Sequence, residues 1–259
     1  MTSVSSCKSL AALLEELGIS EPQEINIEAI AEYCGATIVY ESLKGCEARI
    51  LGHGDRAIIT VNSTSSRERQ RFSGAHELGH WMRDRGKIGF ACAEMVFAAE
   101  WGEENSEVRA NRYAADLLLP SPIFSSRAKN KDMTFATVRD LAKDFQTSLT
   151  ATAIRLVELG SFPAMVVCYE QGRRRWFTRG PDVPGVLWPR DEPGRGTVAF
   201  DLIQGTETTE RPVDVYADGW FDHPYAGRYE VREDSIRMSD RFVLSLLWWK
   251  DERQILDLV

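Results

Sequence analysis

Paired cysteines, a basic leader and long apolar runs are all missing from this sequence. The five cysteines are scattered, and no two of them form a C-x-x-C pair. Their spacing excludes a cysteine-rich zinc site and a disulfide framework, and it predicts reduced thiols in a cytoplasmic protein. The apolar stretch from Leu10 to Leu17 is interrupted by Glu15 and Glu16, so we expect neither a signal peptide nor a membrane span.

Positive charge is also in short supply. Lysine and arginine together number 31 against 39 aspartates and glutamates, which gives a formal net charge of −8. Proteins that bind DNA strongly present a surplus of positive charge to the phosphates. We therefore expect DNA binding to be weak or absent.

Histidine is scarce too, yet two of the four histidines stand four residues apart in the run HELGH at residues 76–80. Residues at this spacing share one face of a helix, so both imidazoles can point at one metal ion. The glutamate between them can take a proton from a metal-bound water. We predict a helix over 67–82 that begins with a capping box formed by Ser65 and Glu68.

A catalytic zinc site needs a third protein ligand, and the next helical stretch, Ser106 to Leu119, offers one. Glu107 heads the apolar face of that stretch, which Pro120 ends. This position favours Glu107 as the third ligand. Three other acids nearby are rivals for this role. Glu103 and Glu104 suit surface charges at the start of the helix, and Glu100 is less clearly placed.

Four further residues are candidates for a part in such a site. Asn111, one turn after Glu107, is a candidate to support a ligand, although it is equally a helix-packing amide. Tyr113 and His53 are candidates to stabilise an oxyanion, but helix faces and surface turns hold such residues without catalytic duty. Cys92 lies between the two helices and is a weaker candidate for a place near the metal, because free cysteine is usually a small buried residue.

Two runs carry a family resemblance: RQRFSGAHELGHW, from Arg69 to Trp81, and EVRANRYAADLLLP, from Glu107 to Pro120. Their residues, order and separation resemble the ImmA/IrrE family of bacterial metallopeptidases. The resemblance implies that His76, His80 and Glu107 bind the metal and that Glu77 is the catalytic base. It also implies the substrate, a helix-turn-helix repressor of the Xre type, whose cleavage derepresses stress-response or mobile-element genes.

The same resemblance implies an α+β chain with three parts. A zincin-like metallopeptidase domain with a small sheet and the motif helices is expected at 1–128. A helix-turn-helix-like segment is expected at 129–160, where two helices are predicted across a short turn, and we favour packing or repressor docking over DNA contact. A mixed α/β domain that resembles the GAF sensor fold is expected at 161–259, with a small molecule as its ligand.

Local patterns give further expectations. We predict a helix from Glu24 to Tyr33, and Ala57–Val61 as an edge strand that takes an extended substrate or serves as plain structure. Other strands are predicted at 37–40, 48–51, 165–169, 176–178, 198–203, 213–216 and 242–249. We interpret the C-terminal tryptophans as core residues, in preference to the lining of a ligand pocket. We interpret Arg173-Arg174-Arg175 as a solvated hairpin tip, in preference to an anion-binding site.

The expected chemistry is peptide hydrolysis. A divalent metal lowers the pKa of bound water, Glu77 accepts the proton, and the same glutamate can protonate the leaving amine. Mixed nitrogen and oxygen ligands favour zinc, and manganese or iron would tolerate the same set. The alternative is a non-proteolytic regulatory protein that sequesters a transcription factor and holds its metal structurally, which has no need of Glu77.

Overall fold

The computed structural model of the chain describes residues 9–84, 89–92, 106–206, 211–250 and 252–256, with the backbone alone at 84, 89–92, 252 and 256. The chain divides into two compact units, residues 1–123 with 143–148 and residues 124–142 with 149–259. The boundaries at 128 and 160 stay a prediction. No helix in the described ranges has the length and apolar character of a membrane span.

The first unit is a mixed α+β structure, as expected. Its elements are α1 (Leu10–Glu16), a 3-10 turn (Pro22–Glu24), α2 (Ile27–Tyr33), β1 (Ala36–Glu41), β2 (Ala48–His53), β3 (Arg56–Asn62), α3 (Arg67–Asp84), β4 (Gly89–Cys92) and α4 (Ser106–Leu118). The predicted helix at 24–33 is therefore a 3-10 turn followed by α2, which begins after Asn26. The side chain of Asn26 accepts a hydrogen bond from Ala29 N and caps the helix.

The strands of this unit form one sheet in the order β1-β3-β2-β4. Strand β1 runs parallel to β3, and the other neighbours are antiparallel. β3 lies between β1 and β2 with its backbone paired on both sides, so the prediction that Ala57–Val61 is a substrate-binding edge strand is wrong and its alternative, a plain structural strand, is confirmed. Its hydrogen-bonding groups are already occupied, so it cannot add a substrate strand.

The motif helix α3 packs on the inner face of this sheet. A Cβ at Gly74 would lie 3.1 Å from Ile27 Cδ1 and 3.3 Å from Ile38 Cδ1, so any larger residue would require these isoleucine side chains to shift. The helix begins one residue later than the predicted capping box requires. Arg69 N donates a hydrogen bond to Ser66 Oγ at 3.3 Å, whereas the Ser65 hydroxyl donates one to Glu47 at 2.5 Å.

Both ends of α3 are tied to the rest of the unit. Near its start, Arg67 pairs with Glu28 at 3.2 Å, and Tyr40 Oη donates to the same carboxylate oxygen at 2.5 Å. Near its end, the fully buried Trp81 donates from Nε1 to Cys34 O at 2.9 Å. These contacts hold the helix in one orientation against the sheet.

After α4 the chain continues through α5 (Ser121–Ala128), α6 (Phe135–Phe145) and α7 (Leu149–Leu159). The two helices predicted in 133–160 are thus present as α6 and α7, joined by three residues. A helix-turn-helix-like role for them stays a prediction.

The second unit is built on a five-stranded antiparallel sheet in the order β6-β5-β9-β8-β7. Its elements are β5 (Ala164–Glu170), β6 (Arg173–Arg179), α8 (Val198–Ile203), β7 (Val213–Tyr216), β8 (Glu230–Arg237), β9 (Phe242–Trp248) and α9 (Glu252–Leu256). Four of the predicted strands are present. The fifth, at 198–203, is wrong, because this segment is helix α8, and β8 was not predicted.

Two neighbouring acids on β8 explain both errors. Alternate strand residues face opposite sides of a sheet, so Glu233 and Asp234 are buried on opposite faces, at 0% and 4% exposure. Glu233 accepts hydrogen bonds from Val198 N at 3.1 Å and Ala199 N at 2.7 Å, at the start of α8, and Asp234 accepts one from Phe135 N at 2.7 Å, at the start of α6. Buried acids hide the apolar alternation by which a strand is recognised.

Glu233 also accepts hydrogen bonds from Trp220 Nε1 at 3.1 Å and Ser235 Oγ at 2.7 Å. Burial raises the pKa of Glu233 above its ordinary value, although these hydrogen bonds act to lower it. The carboxylate is therefore a buried centre that joins β8 to α8 and to Trp220.

The three arginines and most of the tryptophans of this unit follow their structural interpretations, but Trp188, at 58% exposure, is not the core residue that was expected, and Trp176 is partly buried. Trp220, Trp248 and Trp249 are buried at 0–1% exposure, as expected for core residues. The three arginines that open β6 each pair with an acid: Arg173 with Glu192, Arg174 with Asp191 and Arg175 with Glu170. Because their charges are matched, the run does not present a free anion site.

Replacing Glu233 by alanine should lower the free energy of unfolding by about 3 kcal/mol or more, because two backbone donors and one indole N–H lose their acceptor in a buried place. Chemical denaturation followed by tryptophan fluorescence measures this. Glu230→Ala, at an exposed position of the same strand, is the matched control and should change the value by less than about 0.5 kcal/mol. Equal effects of the two substitutions would contradict the role assigned to Glu233.

Candidate metal centre

Three side chains from two helices of the first unit converge at one point. His76 and His80 lie one turn apart on α3, and Glu107 lies in the first turn of α4. Their ligand atoms all lie within 4.8 Å of one another, as the sequence predicted for a metal group.

The distances within the group are close to those between the ligands of one metal ion. His76 Nε2 and His80 Nε2 are 3.1 Å apart; His76 Nε2 lies 3.3 Å from Oε2 of Glu107, and His80 Nε2 lies 3.3 Å from the other oxygen, Oε1. A tetrahedral zinc with arms of about 2.0–2.1 Å separates its ligand atoms by about 3.3 Å. The two nitrogens and the carboxylate are therefore close enough together to hold one ion.

Asn111 fixes the orientation of the first histidine. Its Oδ1 lies 2.9 Å from His76 Nδ1, so that nitrogen carries the proton and donates it to the amide oxygen. The lone pair of His76 is then on Nε2, the atom that faces His80 and Glu107. This is the arrangement in which an outer partner sets the tautomer of a metal-ligating histidine.

The surroundings of His76 favour its neutral form. Burial lowers the pKa of His76 below its ordinary value, and the neighbouring His80 acts in the same direction, while Glu107 and Asn111 oppose them. A metal binds only the neutral imidazole. The buried histidines and the half-exposed Glu107, whose side chain is 49% exposed, give the group one dry side and one side open to water.

Glu77 lies beside the two histidines on the same helix and is 1% exposed. It stands one residue after His76 and three before His80, so its side chain projects next to the point where their nitrogens meet. A carboxylate in this place can exchange a proton with a water or substrate held at that point.

The packing of α4 against α3 sets the distance between Glu107 and the histidines. A Cβ at Gly79, within the HELGH run, would lie 3.0 Å from Tyr113 Cβ and 3.2 Å from Ala110 Cα. The glycine therefore lets α4 lie directly against the motif helix. The sequence signal was present, since Gly79 is one of the two intervening residues of the run, but its packing role was not predicted.

The other candidate residues fall in different places. Tyr113 is 9% exposed and packs against Gly79, while His53 is exposed at the end of β2. An oxyanion role for either stays a prediction. Glu100, Glu103 and Glu104 lie outside the described residues, and so does the side chain of Cys92.

Ser73 is a buried residue close to the motif that the sequence analysis did not single out. It is 2% exposed and stands one helical turn before Glu77 on α3. The signal that could have found it is its spacing of four residues from the glutamate, the same spacing that joins the two histidines.

Residues 31–157 match the family described as the IrrE N-terminal-like domain, Peptidase M78, and this range contains all the residues of the centre. The radiation response metalloprotease IrrE of Deinococcus radiodurans is 28% identical over 188 residues, which cover 69% of this chain and 54% of the relative. The match thus spans about half the length of that protein.

A solved structure shows the same fold over most of the chain. A transcriptional regulator from Mycobacterium tuberculosis superposes with a TM-score of 0.58, covering 92% of this chain and 74% of the other, at 16% sequence identity. At this identity the likeness concerns the fold alone.

Replacing Asn111 by alanine should weaken zinc binding about 10- to 100-fold, because His76 loses the partner that holds its tautomer. Competition with a chelating zinc indicator measures the affinity of the purified protein. Arg112→Ala, at the exposed neighbouring position on α4, is the matched control and should leave the affinity unchanged. An Asn111 variant with the affinity of the unaltered protein would show that the amide only packs the helices.

Proposed function

Because the chain belongs to the ImmA/IrrE family of metallopeptidases, we propose that it is a metal-dependent endopeptidase that cleaves a helix-turn-helix repressor of the Xre type at a specific site. One observation carries the proposal. The imidazoles of His76 and His80 and the carboxylate of Glu107 converge closely enough to hold a single metal ion, with the buried Glu77 beside them.

His76, His80 and Glu107 are the proposed ligands. A divalent metal held there would lower the pKa of a bound water toward about 7 and would polarise a peptide carbonyl. Two imidazole nitrogens and one carboxylate favour zinc, while manganese or iron would tolerate the same donors. Asn111 keeps the Nε2 lone pair of His76 turned to the ion.

Glu77 is the proposed catalytic base. Its carboxylate accepts the proton of the attacking water and then passes that proton to the nitrogen of the leaving amine. The buried position of Glu77 keeps bulk water from competing for the proton. A metal that served only the fold would need the three ligands and no glutamate in this place, so Glu77 favours hydrolysis over a structural metal.

The Xre-type repressor is proposed from the family resemblance. Its cleavage would derepress stress-response or mobile-element genes in the cytoplasm. A radiation response metalloprotease is a relative of this chain, and a transcriptional regulator shares its fold, which agrees with such a role. The alternative is an anti-repressor that binds the same partner without cutting it.

Roles for the remaining segments complete the proposal. Helices α6 and α7 are proposed as a helix-turn-helix-like segment that docks the repressor, with little DNA contact because the chain carries a net charge of −8. The part at 161–259 is proposed as a GAF-like domain with a small-molecule ligand that gates the peptidase. The domain limits 1–128, 129–160 and 161–259 belong to the same proposal.

The intact protein and its Glu77→Gln and His80→Ala variants should be co-expressed with each Xre-type repressor encoded nearby. The intact protein should produce a discrete repressor fragment, the Gln variant should bind metal without cutting, and the Ala variant should lose both properties. Mass spectrometry of the repressor and metal analysis of the protein give the two readouts.

The outcomes separate the two candidate functions. Cleavage by the Gln variant at the normal rate would remove Glu77 as the base. Intact repressor with every protein, together with loss of its DNA binding, would contradict a peptidase and favour the anti-repressor.

A further inference from the structure

The hydroxyl of Ser73 is buried on α3 and has no hydrogen-bond partner in the part of the chain that the structure describes. Leaving a buried donor without an acceptor costs free energy, and a serine in a helix can usually avoid the cost by bonding to the carbonyl four residues before it. Ser73 makes no such bond. A partner for this hydroxyl must therefore come from the side of the helix that it faces.

That side is the side of the metal centre. A helix turns by about 100° per residue, so Ser73 lies roughly 20° from His80, 40° from Glu77 and 60° from His76 around the α3 axis. All four side chains are buried, at 2%, 8%, 1% and 1% exposure respectively.

The other two sides of α3 pack against the sheet and against α4. Gly74 faces the sheet through Ile27 and Ile38, and it is about 100° away from Ser73 around the axis. Gly79 faces α4 and is about 120° away on the other side. Ser73 thus points into the sector between these contacts, which holds the histidines and Glu77.

Glu77 is the acceptor within reach. Side chains on a helix lean toward its N-terminus, so the Glu77 carboxylate extends over the turn that holds Ser73. Cβ atoms four residues apart are about 5–6 Å from each other, a separation that a serine and a glutamate side chain can bridge. A donor at one carboxylate oxygen would leave the other oxygen to take the proton.

We propose that Ser73 is a positioning residue, whose Oγ–H donates to the Glu77 carboxylate and holds it toward the metal centre when a metal is bound. This inference rests on the proposed peptidase function. Ser73 does not touch the substrate in this account, so its loss should slow the chemical step and leave substrate binding alone.

Steady-state cleavage by the zinc-loaded full chain tests this. Ser73→Ala should lower kcat about tenfold, with KM within about twofold and zinc affinity unchanged, and Ser73→Thr should restore most of kcat because it keeps the hydroxyl. Ser245→Ala is the matched control: its buried hydroxyl bonds to Ser235 at 2.7 Å in the second unit, and kcat should not change. A normal kcat in Ser73→Ala, or a change confined to KM, would overturn the inference.

A second measurement needs no substrate. In protein labelled with carboxyl-13C glutamate, the NMR signal of Glu77 is the one missing from Glu77→Gln, and it should move in Ser73→Ala with zinc bound but not in Ser245→Ala. An unmoved signal, with zinc and without it, overturns the role of Ser73 whatever the cleavage assay gives. If the intact protein cuts no repressor, the proposed function fails, while this signal still decides whether Ser73 holds Glu77.

Discussion

The close packing of α4 against α3 is the contact on which the centre depends. Gly79 has no side chain, so Ala110 and Tyr113 lie directly on the motif helix. This brings Glu107 within 3.3 Å of both histidines and Asn111 within 2.9 Å of His76. Two histidines on one helix supply two of the three protein ligands of a catalytic zinc site, and the third has to come from another element, here a second helix. The distance between the backbones of α3 and α4 thus sets the geometry of the candidate ion site.

The sheet supplies the other half of this constraint. Gly74 lets α3 approach Ile27 and Ile38, and Trp81 ties its far end to Cys34. With the helix held at both ends, His76, Glu77 and His80 keep one orientation, which lowers the cost of ordering the site when a metal binds. The candidate centre is therefore built from helices packed on a sheet, and its half-exposed member, Glu107, lies on the side open to water.

Local spacing was enough to predict that His76, His80 and Glu107 come together, because histidines at i and i+4 and a carboxylate at a helix start are properties of short segments. The helices and most strands followed from the same short-range signals. What failed depended on contacts distant in sequence. Strand order placed β3 inside the sheet, and Glu233, 34 residues from Ala199, accepts hydrogen bonds from the first backbone N–H groups of the helix at 198–203. The burial of Glu233 and Asp234 also concealed β8, since acids in a strand suggest a surface.

The central claim is that a single ion is held by two imidazoles and one carboxylate. X-ray absorption at the zinc edge of the loaded protein tests it most directly. We expect a first shell of nitrogen and oxygen at about 2.0–2.1 Å with the outer-ring scattering of two imidazoles. A sulfur scatterer at about 2.3 Å, which only a cysteine ligand such as Cys92 would give, or a shell without two imidazoles, would contradict the account.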